Sequence, residues 1–408
     1  MNKYTTTLLT LAIFSLSLTQ CNAEKKPTVD SAPANQKKHF VSDRQTETDA
    51  NLNAMAQLMA GLEPNESDDT IKKISNTASF KLHKQQLGAS FAKAETSRLS
   101  LMKNWSNTEL ADVCNEANDL FYPFSGPDIM TAHAIFPCSQ DYIMFGLEPA
   151  GIPPALEAMN ETQRARYFAA IRSSLGSILN FSFFRTNDMR DDFRGVLDGL
   201  TPILMVFLSR EGNELVSAKV VSLQPNGQVI ERDPKIKPTP EQRTTEANGV
   251  NGIRFYFKDV KSKTLKTVTY FSVDISDAGL AGKDWFLGTI GKTAPLTTYL
   301  KSASYLMHRD SFSKIRSFIL DHSNQVVEDD SGMPLSFFKE TEWQRSFYGN
   351  YTKPIPLFAS RYQPDLRAIF KEPQKNGVKK LPFGTGYNFH EGDSHLLVAR
   401  KKSAPNKQ

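Results

Sequence analysis

The chain has 408 residues, of which 39% are hydrophobic, 10% aromatic and 23% charged, a composition that suits a folded globular protein of one large or two medium domains. The formal net charge is only +5, and the eight Lys/Arg against three Asp/Glu from Lys371 to Gln408 account for all of it. A ragged basic end of this kind gives no reason to invoke nucleic acid as a partner.

Residues 1–23 read as a signal segment: Lys3 supplies a positive start, and Tyr4–Leu18 is a Thr/Leu-rich apolar run too short to span a bilayer comfortably. Two exits fit. Leu18-Thr19-Gln20-Cys21 resembles a bacterial lipobox, in which Cys21 is acylated and becomes the mature N-terminus, although Gln20 stands where that motif carries a small residue. The other exit is ordinary cleavage after Ala23, with Cys21 and Ala23 as the small residues. Residues 24–50 are polar and contain Pro, Lys and Thr without apolar periodicity, which suits a flexible tether and favours the anchored form. The expectation is an exported periplasmic or cell-envelope lipoprotein, held to the membrane through its anchor.

Residues 51–210 read as a helical part around a central β-α-β unit. Residues 211–400 read as a mixed α/β part with antiparallel hairpins in the same globular body, followed by a basic tail at 401–408. Residues 51–63 carry a helical apolar spacing and 65–79 read as a polar loop. A helical region follows over Leu87–Ala117, with Leu99, Leu101, Met102 and Trp105 on an inner face and Ser106–Glu109 capping a second helix. Residues 155–187 predict long helices with Phe181, Phe183 and Phe184 as packing residues, and Leu200–Leu208 is either a buried strand or a helix. Leu215–Leu223, Ile253–Phe257 and Thr267–Ile275 alternate as strands, with Pro225-Asn226-Gly227 as a hairpin turn. Asp233–Gly249 reads as a long exposed loop, Ala294–Arg309 as a helix with His308-Arg309-Asp310 at its end, Phe312–Leu320 as strand or helix, and Gln325–Glu328 as a short strand before a polar turn. Gly386–Arg400 reads as a terminal hairpin of Tyr387–His390 and His395–Ala399.

The central unit spans 118–149. Leu120–Phe124 predicts a buried strand, and Ser125-Gly126-Pro127-Asp128 a tight turn opening a helix over Ile129–Phe136. Tyr142–Leu147 predicts a second strand that ends at Glu148-Pro149. Its polar residues gather at the strands' carboxyl ends, where open α/β sheets bind ligands. The fold class expected is therefore α/β: a Rossmann-like β-turn-α-β core with helices on both faces and an additional antiparallel region.

In dinucleotide and nucleoside folds an acidic residue follows the first turn by about 20 residues; here Gly126 and Glu148 are 22 apart. With the terminal hairpin, this spacing resembles methyltransferase-type Rossmann domains, which would imply an enzyme acting on a hydroxyl-bearing small molecule. The turn departs from the fingerprint in having one Gly where three are usual, and Pro149 stiffens the far end. The strings FYPFSGPD at 121–128, KSASYLMH at 301–308 and EDDSG at 328–332 also resemble an uncharacterised family of exported bacterial proteins, a likeness that implies no activity.

The candidate ligand-binding residues are Ser125, Gly126, Asp128 and Glu148, together with Asp329, Asp330 and Ser331. Ser125 sits where a nucleophile elbow would place one, with His133, His308, His322, His390 and His395 as possible bases. Pro123 and Pro127 break the G-x-S-x-G pattern, however, and a helix cap is the plainer role. Asp128 in the first helical turn favours a neutral or hydroxyl-bearing ligand, such as a sugar or nucleoside, over a bare phosphate. No HExxH, CxxC or EF-hand spacing specifies a metal, and convergence of His133, Glu148, His308, Asp329 and Asp330 would depend on the fold. Paired Asp329-Asp330 is otherwise a solvated turn. No cofactor is specified, and a binding or scaffolding role stands beside the enzyme. Cys114 and Cys138 precede the two strands of the central unit, so export and geometry together predict a structural disulfide at the edge opposite the site.

Overall fold

Leu120–Tyr122 forms β1, a strand in the middle of a mixed sheet, with every side chain buried. The computed structural model describes residues 48–65, 68–116, 119–184, 193–293, 295–390 and 392–402, all within one compact unit. The signal segment, Cys21, nearly all of the tether and the end of the basic tail lie outside the described residues.

The remaining strands are β2 (Asp141–Gly146), β3 (Glu214–Leu223), β4 (Val229–Arg232), β5 (Val250–Lys258), β6 (Leu265–Ser272), β7 (Leu296–Leu300), β8 (Ser323–Glu328), β9 (Trp343–Gly349) and β10 (His395–Lys401). Their order across the sheet is β4-β3-β5-β6-β2-β1-β7-β8-β10-β9. The five central strands β6, β2, β1, β7 and β8 are mutually parallel. Each half of the sheet ends in antiparallel pairs: β5, β3 and β4 on one side, β10 and β9 on the other.

The strand period of two divides the core. Leu120, Tyr122, Tyr142 and Met144 point into one apolar cluster, whereas Phe121, Ile143 and Phe145 point into another. The first cluster is filled by α1 (Ala50–Met59), α3 (Ala78–Ala94), α4 (Ser100–Glu109), α6 (Ile129–Ile135), α7 (Glu161–Phe181) and α8 (Thr201–Arg210). The second is filled by α10 (Asp284–Ile290), α11 (Ser313–His322) and α12 (Pro364–Lys371). The sheet is thus covered on both faces, which explains its nearly continuous apolar strands. Among the described residues no helix is long and apolar enough to cross a membrane.

Several expectations are corrected. Residues 65–79 contain α2 (Asp69–Ser75), whose first N–H groups are satisfied by the Asp68 side chain. The stretch 233–249 contains α9 (Pro240–Asn248), started by a Thr239/Gln242 capping box; with no buried residue and Ala247 as its one aliphatic side chain besides Pro240, it has no periodicity to betray it. Ser106 lies inside α4 and donates to the Ile135 carbonyl, so α5 (Ala111–Glu116) is not capped from there. Residues 295–309 hold no long helix: β7 enters the sheet centre, and a single 3-10 turn, Leu306–His308, follows. Thr297, Thr298 and Tyr299 are β-formers, and pairing with both β1 and β8 decided the outcome. The last strand pairs with Trp343–Gly349 and not with Tyr387–His390, which is not a strand.

Cys114 and Cys138 form a disulfide with a Cα–Cα distance of 5.1 Å, bridging α5 to the segment between α6 and β2.

Candidate functional site

The chain leaves β1 for β2 on one side of the sheet, while β7 lies on the other side of β1. The loops after those strands must therefore diverge, and they open a crevice at the carboxyl ends of the parallel strands. That crevice is a cleft of about 270 Å³, lined by the turn after β1, the end of β2, Val273–Ile275 after β6, and Lys301–Ser304 after β7. Phe183, Phe184 and Phe312 add apolar walls.

Ser125, Gly126, Asp128 and Glu148 are brought together here. Gly126 adopts φ +51°, which favours glycine, and its N–H donates to the Phe145 carbonyl at 3.2 Å. Ser125 Oγ donates to the same carbonyl at 3.2 Å. Its hydroxyl thus ties the turn to β2 and is not poised against a histidine as a nucleophile would be.

Asp128 proves to be the N-cap of α6, Oδ1 accepting from the Thr131 N–H at 3.2 Å. Its Oδ2 accepts from Lys301 Nζ and, at 3.2 Å, from Tyr122 OH. Asp128 and Lys301 are both buried, and burial keeps the Lys301 amine below its ordinary value despite the carboxylate beside it. Asp128 is therefore a neutralised floor of the cleft and not a free acceptor for ligand. Lys301 escaped the sequence reading because its segment looked helical; a lone cation ending an apolar run was the available signal.

Glu148 is half-buried, and its carboxylate has no ion-pair partner among the described residues. The Tyr270 hydroxyl donates to its backbone carbonyl at 2.9 Å, fixing the strand end. Gly146 is required beneath it, since a Cβ there would lie 2.5 Å from the Tyr270 oxygen and 2.9 Å from Glu148 Oε2. Exposed Asp274, after the adjacent strand β6, supplies a second acceptor facing the cleft and takes the Ser276 N–H at 2.9 Å.

Asp329, Asp330 and Ser331 do not line the cleft. They are buried, not solvated, and they hold its wall from behind. Asp329 Oδ2 accepts from the Ser302 N–H at 3.0 Å, and Ser331 Oγ from the Ala303 N–H at 2.8 Å. Asp330 Oδ2 accepts from Tyr305 OH. The loop so gripped contains three non-glycine residues in the left-handed region, Ser302, Ser304 and Tyr305, with φ of 52°, 54° and 52°, a concentration of strain that marks functional sites. Tyr387 OH donates to the Ser302 carbonyl at 2.9 Å and lies 2.8 Å from Ser304 Oγ. Burial, then the charge of Asp329, pushes Asp330 up to about 7, and burial holds neighbouring Glu328 well above the carboxylate range.

The histidines and acids proposed to converge on a metal come together only in part, with His308 beside the Asp330 backbone. His133 lies between Glu211 and Asp259, away from Glu148. Among the described residues no group of three or more His, Cys, Asp or Glu is arranged to hold a metal ion. No protein-family model matches the chain, and no curated protein or solved structure shows significant similarity to it.

Proposed function

We propose that the protein is an exported, lipid-anchored envelope protein whose folded body binds a neutral, hydroxyl-bearing small molecule of nucleoside or sugar type. The observation that carries this reading is the cleft at the point where strand connections diverge, with Glu148, which has no ion-pair partner among the described residues, at its mouth. Glu148 and Asp274 offer acceptors for hydroxyl or amino groups, and they disfavour a bare phosphate. Among the described residues the one cation lining the cleft, Lys301, is consumed by Asp128. Aromatic and aliphatic walls suit the flat face of a base or the apolar face of a sugar ring.

A second reading is an enzyme of methyltransferase-like fold. It is favoured by the order β6-β2-β1-β7-β8-β10-β9, in which β10 alone runs against the rest. Glu148 would hold a ribose and the single-glycine turn would approach the cofactor, S-adenosylmethionine, which supplies a methyl group when bound. Export argues against ready access to that cofactor, so binding is placed first.

Thermal-shift measurements with adenosine, S-adenosylmethionine and a panel of neutral sugars test both readings. At least one probe should raise the melting temperature of the wild type, with the shift much reduced in Glu148→Gln. A stabilisation indifferent to Glu148, or none across the panel, would remove the site. Preference for S-adenosylmethionine over adenosine would promote the enzyme.

A further inference from the structure

At the opposite, amino-terminal edge of the parallel strands lies a second cavity of about 560 Å³. Its walls come from α3 and α4, from His133 and Pro137 around the end of α6, from Arg210 and Glu211 where α8 ends, and from the turn between β5 and β6. We infer that this cavity binds a small monocarboxylate with an apolar body, seated by Arg210.

The acids of the cavity are already matched. Glu211 lies 3.1 Å from Lys103 and 3.5 Å from His133. Asp259 lies 3.3 Å from His133 and 3.8 Å from Lys266, and it accepts from the Lys261 and Ser262 N–H groups. Glu95 lies 3.3 Å from Lys103 and accepts from Ser100 Oγ. Arg210 is the exception. Its Nε and Nη2 are buried without a hydrogen-bond partner, and it has no carboxylate within ion-pair distance among the described residues. Burial alone, with no opposing charge, lowers it to about 10. Arg210 is half-buried; a guanidinium in that setting with no counter-charge gains when an anion meets it, and a carboxylate matches its fork.

The rest of the wall defines the ligand's body. The Arg210 guanidinium lies 4.6 Å from the centre of the Phe91 ring, a cation–π contact. Phe91, Ala92, Leu99 and Val260 present apolar surface, for which inorganic phosphate has no counterpart. Two local irregularities keep the wall open. Gly88, inside α3, lines the cavity with nothing within 4 Å of where its Cβ would stand, although glycine is unfavourable in a helix interior. Glu95–Leu99 is π-helical, a form concentrated at functional sites.

The test titrates the full chain with octanoate, with 1-octanol as the uncharged match, and with inorganic phosphate. Octanoate should bind saturably and raise the melting temperature, while octanol and phosphate should not. Arg210→Gln should weaken octanoate by about tenfold or more, the loss of one charge-assisted pair. Gly88→Leu grows a side chain into open space, so it should fold like the wild type yet exclude octanoate, which keeps the idea testable if Arg210→Gln misfolds. Glu148→Gln should bind octanoate unchanged. Equal binding of octanol, octanoate binding that survives Gly88→Leu intact, or no octanoate binding to the wild type would overturn the proposal.

Discussion

Asp329 Oδ2 accepts a hydrogen bond from the Ser302 N–H at 3.0 Å, so the turn after β8 grips the strained turn after β7. The same carboxylate takes the Ser331 N–H at 2.9 Å and the Ser331 hydroxyl. Gly386 closes over it with φ +69°, and a Cβ there would stand 2.1 Å from Oδ2. Three donors depend on one buried acid. Asp329→Ala should therefore cost about 3 kcal/mol, since buried donors left unpaired cost about 1–3 kcal/mol each. Gly386→Ala should be comparably harmful by displacing the acid. Urea unfolding measures both, and a loss below about 0.5 kcal/mol for Asp329→Ala would show that the grip does not hold the loop.

Asp330 gives a pH dependence. Its folded pKa, about 7, is raised above the unfolded value of about 3.9. The stability it contributes is therefore fully present below the unfolded value and lost as pH rises through about 7. Asp330→Asn keeps an acceptor for Tyr305 OH but cannot ionise. Its stability should fall less than that of the wild type between about pH 5 and pH 8, followed by denaturant midpoints across that range. Parallel profiles would mean that Asp330 does not titrate there.

Much of this architecture was legible from residues 118–149, because a short apolar run, a Pro/Asp helix start and a second run encode local structure. Ser125, Gly126 and Glu148 follow from that unit and do meet in the cleft. The wall contributed by β7 was hidden: Thr297–Tyr299 becomes a strand through pairing with distant β1 and β8, which no window of sequence contains. Asp329–Ser331 read as a solvated turn because its donors, Ser302 and Ala303, are supplied by another loop. Arg210 is the plain end of an apolar helix until α3 places Phe91 beneath it.

The Cys114–Cys138 bridge spans a sequence separation of 24. Closing a loop of that size should contribute about 3 kcal/mol. Non-reducing mass mapping should find the linked peptides, and reduction should lower the melting temperature without abolishing the fold. Two freely alkylatable thiols in native protein would rule the contribution out.

Anchoring predicts a partition experiment. Wild-type protein made in a bacterium with lipoprotein processing should enter the detergent phase and incorporate labelled fatty acid, whereas Cys21→Ala should remain aqueous. A wild type that is already aqueous and begins at Glu24 would leave export without an anchor.

The last prediction concerns the alternating chain Lys103–Glu211–His133–Asp259–Lys266, whose links are 3.1, 3.5, 3.3 and 3.8 Å. Burial pushes the His133 imidazole down, but Asp259 and Glu211 on its two sides outweigh that and hold it above its ordinary value. His133 in turn holds Asp259 below the carboxylate range, and His133 with Lys103 holds Glu211 below its ordinary value against burial. The signs are opposite. The stability from His133 is fully present below the unfolded value of about 6.5 and is lost as pH rises through the higher folded value. The stability from the two acids is present above their unfolded values of about 4 and is lost as pH falls through the lower folded ones. All three contributions coexist between about pH 5 and pH 6.5. There His133→Gln, which removes the cation shared by Glu211 and Asp259 but leaves each acid its lysine, should cost about 2 kcal/mol. The gap should narrow steadily above that window as the wild-type imidazolium loses its proton. Unfolding of both proteins from about pH 5 to pH 9 decides it, and a gap constant across the range would mean that His133 contributes packing alone.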